Sequence, residues 1–77
     1  MQATEKQITK IGFIISNFDY ELKEKWAMQA FIYQLSQKED SREKLSKIIS
    51  VGLDSQADEF KFFLKLQGYE SPLPDLS

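Results

Sequence analysis

The residues best suited to chemistry are two adjacent carboxylate pairs, Glu39–Asp40 and Asp58–Glu59. Two neighbouring carboxylates can act as a general acid and a general base. Each pair, however, falls where a helix is expected to begin, and acidic side chains there cap the backbone and favour the helix dipole. We therefore interpret both pairs as signals for the start of a helix rather than as a catalytic site.

Other side chains that commonly carry out catalysis are missing from the sequence. The chain contains no histidine and no cysteine, so it lacks the usual acid–base group near neutral pH, the common zinc ligands and a thiol nucleophile. Its three glycines are isolated from one another, so no glycine-rich phosphate loop is present. We predict a protein that is not an enzyme and that uses no cofactor and no metal.

The length and composition fit one small domain. The chain has 77 residues, of which 42% are hydrophobic and 13% aromatic, and its net charge is −2. A chain of this size buries only about 60–65% of its unfolded surface, so its margin of stability is thin. The amino terminus is polar, and no apolar run is long enough to span a bilayer. These features predict a cytoplasmic protein with no membrane segment.

Apolar spacing and capping signals predict an all-α fold, a small bundle of three or four helices. Thr4 and Gln7 form a capping-box pattern before the first helix. The apolar residues that follow are spaced three and four apart and continue as far as Leu22. The approximate helix ranges are 5–15, 17–37, 41–51 and 56–67.

Two glycines are expected to end the third and fourth helices. Gly52 and Gly68 are each suited to a left-handed stop, and the residue after each, Leu53 or Tyr69, falls where a Schellman motif places its hydrophobic partner. The predicted domain covers residues 1–69. An extended tail is expected over residues 70–77, because its two prolines cannot continue a helix. Leu73 and Leu76 are the tail residues that could pack.

Residues 8–23 leave other conformations open. β-Branched residues and Gly12 weaken a helix in this region, and the segment 18–23 alternates strictly between apolar and polar residues, as in a half-buried strand. A hairpin over residues 10–23 would make the fold α+β. A single continuous helix would instead take the place of the first two predicted helices. We favour two helices with a break near Ser16 and Asn17, because an isolated hairpin is only marginally stable.

An excess of apolar residues on two helices is the strongest functional signal. Between Trp26 and Leu35, eight of ten residues are apolar, and they surround the helix instead of forming one stripe. In the last helix, Phe62 and Leu66 lie well away from the stripe that contains Phe60. These two helices can cover one face of each other, which leaves their second faces without a partner.

We therefore predict a small, non-catalytic protein-interaction module that acts as an adaptor, a regulator or an inhibitor. It would form a homodimer, bind another protein, or do both, through an aromatic-rich helical face. Aromatic residues and methionine are enriched in the cores of protein interfaces. The residues expected to anchor this interface are Trp26, Tyr33, Phe62 and Leu66.

The alternative is a nucleic-acid-associated regulator that uses a basic face made of Arg42, Lys44 and Lys47. Gly52 would then lie in the turn of a helix-turn-helix. Nucleic acid is the less favoured partner, because the second helix of that motif would begin with Asp58 and Glu59, which repel phosphates.

Overall fold

A computed structural model describes residues 4–74, and all the regular secondary structure in that range is helical. The four helices are α1 (Glu5–Asn17), α2 (Leu22–Ser36), α3 (Ser41–Asp54) and α4 (Ala57–Leu66). The predicted all-α bundle is therefore confirmed. The alternative hairpin over residues 10–23 is not formed, because α1 runs unbroken to Asn17. No helix within residues 4–74 has the length and apolar content needed to cross a membrane.

Local hydrogen bonds fix the start of α1 and α4. The Thr4 hydroxyl accepts a bond from the Gln7 N–H at 3.3 Å, and the Gln7 side-chain oxygen accepts one from the Thr4 N–H at 3.1 Å. This is the predicted capping box. At α4, the carboxylate of Glu59 accepts a bond from the backbone N–H of Gln56 at 3.3 Å. Glu59 is therefore used to begin a helix, in agreement with our interpretation of its carboxylate pair.

The predicted stop at Gly68 is confirmed. Gly68 has a φ of 108°, which only glycine adopts readily. The N–H of Gly68 donates to the carbonyl of Lys65 at 3.0 Å, and the N–H of Tyr69 donates to the carbonyl of Leu64 at 3.0 Å. This pair of bonds defines a Schellman motif. Tyr69 and Leu64 are both buried in the core, as the motif requires.

The predicted stop at Gly52 is wrong. α3 continues through Gly52 to Asp54, and Leu53 is exposed. A Cβ atom added to Gly52 would lie only 2.8 Å from Ile14 Cγ2 and 3.0 Å from Phe60 Cε1. The small size of Gly52 therefore lets α3 approach both α1 and α4 closely, and that packing explains the glycine.

The second helix begins later than predicted, at Leu22 instead of residue 17. Ser16 does not cap it, since its hydroxyl donates to the carbonyl of Phe13 at 2.8 Å within α1. The connection turns Phe18 and Tyr20 towards the core, with ring centroids 5.4 Å apart, and Phe18 also lies 5.3 Å from Phe60. The alternation of apolar and polar residues over 18–23 thus arises partly from the connection between α1 and α2, in which Phe18 and Tyr20 pack inwards.

The helices share one hydrophobic core, in which α1 packs against α2 and α3, and α4 packs against α3. α2 and α4 do not pack closely against each other, so the predicted mutual cover of these two helices is wrong. They meet through long side chains and through the segment after α4. Leu73 of that segment is half-buried, whereas Leu76 lies outside the described residues. The core residues with no more than 1% exposure are Ile11, Ile15, Met28, Ile32, Leu45, Ile48, Phe60 and Leu64.

Candidate functional site

The four predicted anchors all lie on the surface, on two different helices. On α2, Trp26 is 65% exposed and Tyr33 59% exposed; on α4, Phe62 is 63% exposed and Leu66 67% exposed. None of these side chains is needed to fill the core. Each is accessible to another molecule.

The exposed apolar residues of α2 form one stripe, which we call the α2 face. At about 100° per residue, Leu22, Trp26 and Tyr33 fall within about 40° of one another around the helix axis. Gln29 and Ala30 lie beside them and are also exposed. The stripe therefore runs along most of the helix and is apolar at its centre.

Leu22 belongs to this face, although the sequence pattern assigned it elsewhere. It continued the inward spacing of the first helix, but it is the first residue of α2 and is exposed to a similar degree as Trp26. The break at residues 18–21 changes the helical phase, so the spacing of α1 does not carry over. The predicted second helix, over residues 17–37, already contained both residues, and a projection of that helix would have placed Leu22 beside Trp26.

The exposed residues of α4 form a second stripe, which we call the α4 face. Phe62 and Leu66 are one turn apart, and the other exposed residues of this helix are Asp58 and Glu59. Asp58 precedes Phe62 by one turn, so the acidic end and the apolar centre share one side of the helix. The α4 face therefore combines two apolar side chains with negative charge.

A groove between α1 and α2 extends the α2 face towards the first helix. It has a volume of about 190 Å³, and its lining includes Ile8, Gly12, Gln29 and Tyr33. No atom lies within 4 Å of the position where Gly12 would carry a Cβ, so α1 presents open space there. Tyr33 thus stands at the edge of both the groove and the α2 face.

A buried carboxylate, Glu24, lies on the inner side of α2 and was not predicted. It is only 2% exposed. The Lys61 ammonium nitrogen is 2.8 Å from Oε1, the Ser71 hydroxyl is 2.8 Å from both carboxylate oxygens, and the Tyr69 hydroxyl donates to Oε2. Glu24 therefore connects α2 with α4 and with the segment that follows α4.

The surroundings of Glu24 hold it in the ionised form. Burial alone raises its pKa, but hydrogen bonds from Lys61, Tyr69 and Ser71, together with the charge of Lys61, outweigh burial and lower it. Burial and the bond to Glu24 also raise the pKa of Tyr69 above its ordinary value. A general base at neutral pH needs a carboxyl whose pKa is raised. The geometry therefore makes Glu24 a structural anchor.

The local sequence gives only a weak signal for Glu24. It precedes Met28 by one turn, and both residues are buried, so a helical projection places it on the inner face of α2. Its partners, however, are distant in sequence: Tyr69 is 45 residues away. No local pattern indicates that a lysine, a tyrosine and a serine will converge on this carboxylate.

The predicted basic residues of α3 do not form one face. Arg42, Lys44 and Lys47 are all exposed, but Arg42 and Lys44 are about 160° apart around the helix. Glu43, also exposed, lies between them on the outer side. This arrangement does not favour the alternative function as a nucleic-acid binder. Within residues 4–74, no group of three or more acidic side chains is arranged to hold a metal ion.

The chain was also compared with known proteins. No protein-family model, no curated protein and no solved structure matches it. Its function is therefore inferred from its own residues. The α2 face and the α4 face are the exposed apolar surfaces that the sequence predicted, and Phe13 of α1 and Leu53 of α3 are exposed to a similar degree.

Proposed function

We propose that the chain is a small, non-catalytic protein-interaction module that acts through its α2 and α4 faces. The observation that carries the proposal is the exposure of Trp26, Tyr33, Phe62 and Leu66, each of which is more than half accessible. The core is complete without them. Large apolar side chains on α2 and on α4 are therefore left for contact with another protein surface.

The chemistry of these side chains supports a protein partner. Tryptophan, tyrosine and phenylalanine are enriched in the cores of protein interfaces. Moving one such side chain from water into an apolar interface contributes about 1.5–3 kcal/mol. A few anchors of this kind dominate the affinity of most interfaces. The proposed roles are those of an adaptor, a regulator or an inhibitor.

The acidic residues that could otherwise suggest catalysis have structural partners. Glu24 is buried and hydrogen-bonded to Lys61, Tyr69 and Ser71, and Glu59 caps α4. These contacts support a non-catalytic role as part of the proposal. The cytoplasmic location is likewise a prediction from the sequence.

Site-specific photo-cross-linking in the cells that produce the chain tests this function. A benzophenone amino acid would replace Trp26 or Phe62, and a control would carry it at Lys47, which is exposed on α3. We expect protein adducts from positions 26 and 62 that exceed those from position 47. Excess unlabelled chain should compete with these adducts, whereas a chain with Trp26→Ala and Phe62→Ala should not.

The opposite pattern would contradict the proposal. If positions 26 and 62 give no more adducts than position 47, the two faces are not interaction surfaces in the cell. The mass of each adduct also separates two kinds of partner, because a second copy adds 9.0 kDa and another protein adds its own mass.

A further inference from the structure

We propose that the space between α2 and α4 is a binding cleft for an extended peptide. Residues 70–74 of the chain, which we call the strap, occupy this cleft, and a partner's peptide with the same pattern can replace them. That pattern is a serine or threonine followed two residues later by leucine. Glu24 lies about 160° from Trp26 around α2, so the cleft is separate from the α2 face and the inference goes beyond the proposed function.

The two helices leave room for a peptide, because they do not pack closely against each other. Contacts outside the strap hold the walls of the cleft. The ammonium nitrogen of Lys61 lies 2.8 Å from Oε1 of Glu24. The N–H of Tyr69 donates to the carbonyl of Leu64, and the ring of Tyr69 lies 5.7 Å from that of Phe31. The cleft is therefore formed without the strap.

The strap rests on the cleft through alternate side chains. Ser71 and Leu73 are partly buried, whereas Glu70, Pro72 and Pro74 are exposed. Such alternation places one side of an extended peptide on a surface and leaves the other side in solvent. Proline restricts φ, so two prolines reduce the conformational freedom that the peptide loses on binding. The strap therefore has the features of a bound peptide.

The buried carboxylate of Glu24 makes the cleft selective for a hydroxyl group. Glu24 is only 2% exposed, and the Ser71 hydroxyl lies 2.8 Å from both of its oxygens. An ionised carboxylate can only accept hydrogen bonds. A buried charge is costly unless it is paired and hydrogen-bonded. A peptide that takes the place of the strap must therefore donate a hydrogen bond to Glu24.

The strap is attached by few contacts, which allows it to exchange. Of residues 70–74, only Ser71 and Leu73 are partly buried. The two bonds between the Ser71 hydroxyl and the backbone of Leu73, both at 3.2 Å, lie within the strap itself. Segments with few buried contacts open at a lower free energy than the core. The strap can therefore detach while the four helices stay folded.

A fluorescent synthetic peptide with the sequence of residues 70–74 tests this site, and anisotropy measures its binding. A chain with Ser71→Ala and Leu73→Ala has a weakened strap and an unchanged cleft. We expect this weakened chain to bind the probe about tenfold more tightly than the wild-type chain. The reason is that the wild-type strap competes from the same molecule, at an effective concentration in the millimolar range.

Matched controls separate the cleft from the rest of the surface. Ser50→Ala with Leu53→Ala makes the same two substitutions at exposed positions of α3 and should not improve binding of the probe. A probe made with Ser71→Ala lacks the hydroxyl and should bind the weakened chain about tenfold less tightly. Circular dichroism establishes that each chain is folded. If the double variant loses helical content, the chain with Ser71→Ala alone replaces it and should still bind about threefold more tightly than wild type.

Nuclear magnetic resonance of the isotope-labelled weakened chain locates the bound probe. We expect the largest shifts at the backbone amides of Glu24, Phe31 and Lys61, which line the cleft. If the largest shifts instead occur at Trp26 and Phe62, the probe binds an exposed apolar face. That result would overturn the inference and leave the proposed function intact.

Three further results would also overturn the inference: no binding of the probe to the weakened chain at concentrations up to about 10 mM, equal binding by the weakened and wild-type chains, or equal binding of the two probes. None of them affects the cross-linking expected from positions 26 and 62. Failure of the cleft and failure of the proposed function are therefore distinguishable.

Discussion

The carboxylate of Glu24 lies 2.8 Å from the ammonium nitrogen of Lys61 and joins α2 to α4, two helices that do not pack closely against each other. Tyr69 and Ser71 bind the same carboxylate from the segment after α4. This polar connection fixes the relative position of the two helices from their inner sides. Their outer sides, which carry the α2 and α4 faces, are left open.

Replacing Glu24 with glutamine should destabilise the fold. Glu24→Gln would remove the negative charge that the half-buried ammonium group of Lys61 contacts and would weaken the bond from Tyr69. We expect the free energy of unfolding in urea at neutral pH to fall by about 3 kcal/mol. Glu43→Gln, on the exposed surface of α3, should change it by less than about 0.5 kcal/mol. Equal effects of the two substitutions would contradict the anchoring role of Glu24.

The contribution of Glu24 should also depend on pH. Its pKa in the folded chain is lowered from the ordinary value of 4.5, so the unfolded chain takes up a proton first as the pH falls. The stabilisation is present above about pH 4.5 and is lost as the pH falls through the folded pKa. The difference in the free energy of unfolding between wild type and Glu24→Gln, measured with urea, should therefore become smaller below that pH. A constant gap down to pH 3 would mean that Glu24 is not held ionised.

Replacing Gly52 or Gly12 with alanine should have opposite effects on the stability of the fold. Gly52→Ala would place a Cβ 2.8 Å from Ile14 Cγ2, and we expect a net loss of about 1–2 kcal/mol, since overpacking exceeds the gain in helix propensity. Gly12→Ala meets open space within α1 and should stabilise the chain by about 0.5–1 kcal/mol. Thermal unfolding measures both. A stabilising Gly52→Ala would show that α3 does not approach α1 as described.

The buried Tyr69 and the half-buried Tyr20 should make the fold sensitive to alkali. Burial raises the pKa of both Tyr20 and Tyr69 above the ordinary value of 10.0, and nearby carboxylates raise it further. Since the unfolded chain ionises first, their contribution is complete below about pH 10 and is lost as the pH rises above it. A chain with Tyr20→Phe and Tyr69→Phe should lose less stability than the wild type above that pH, as followed by circular dichroism. If the wild type and the double variant lose the same amount of stability above that pH, the burial of these hydroxyls would be contradicted.

Local signals in the sequence were sufficient to predict the four helices but not every boundary. The Thr4–Gln7 capping box and the Gly68 stop depend on neighbouring residues, so they could be recognised directly. Gly52 has the same local pattern as Gly68, yet its role depends on Ile14 and Phe60, which pack against it from other helices. A glycine that ends a helix and a glycine that lets another helix pack closely have the same local sequence pattern.

The candidate site likewise combines features that local sequence predicts with features that depend on tertiary contacts. The excess of apolar residues in two helices led to Trp26, Tyr33, Phe62 and Leu66, all of which are exposed, although their role in binding is untested. The buried Glu24 could not be predicted in the same way. Its partners follow it by 37 to 47 residues, so its role depends on the tertiary fold.

Trp26 provides a direct optical signal for any molecule that covers the α2 face. It is the single tryptophan of the chain and is exposed in the monomer. We expect its fluorescence to shift to shorter wavelength, and its quenching by acrylamide to fall, as the protein concentration rises. Phe62→Ala should weaken both changes, because it removes another anchor of the proposed interface. An emission spectrum that does not depend on concentration would contradict cover of Trp26 by a second copy.

The central claim is that this chain associates through its exposed apolar residues, and the solution mass of the wild-type chain tests it most directly. Light scattering across a range of concentrations should give a mass that rises from the 9.0 kDa of one chain towards twice that value. Phe62→Ala should move the midpoint of this rise to higher concentration by at least about 30-fold, since loss of one true anchor costs about 2 kcal/mol and both copies carry the substitution. A mass of 9.0 kDa at every concentration would contradict the claim.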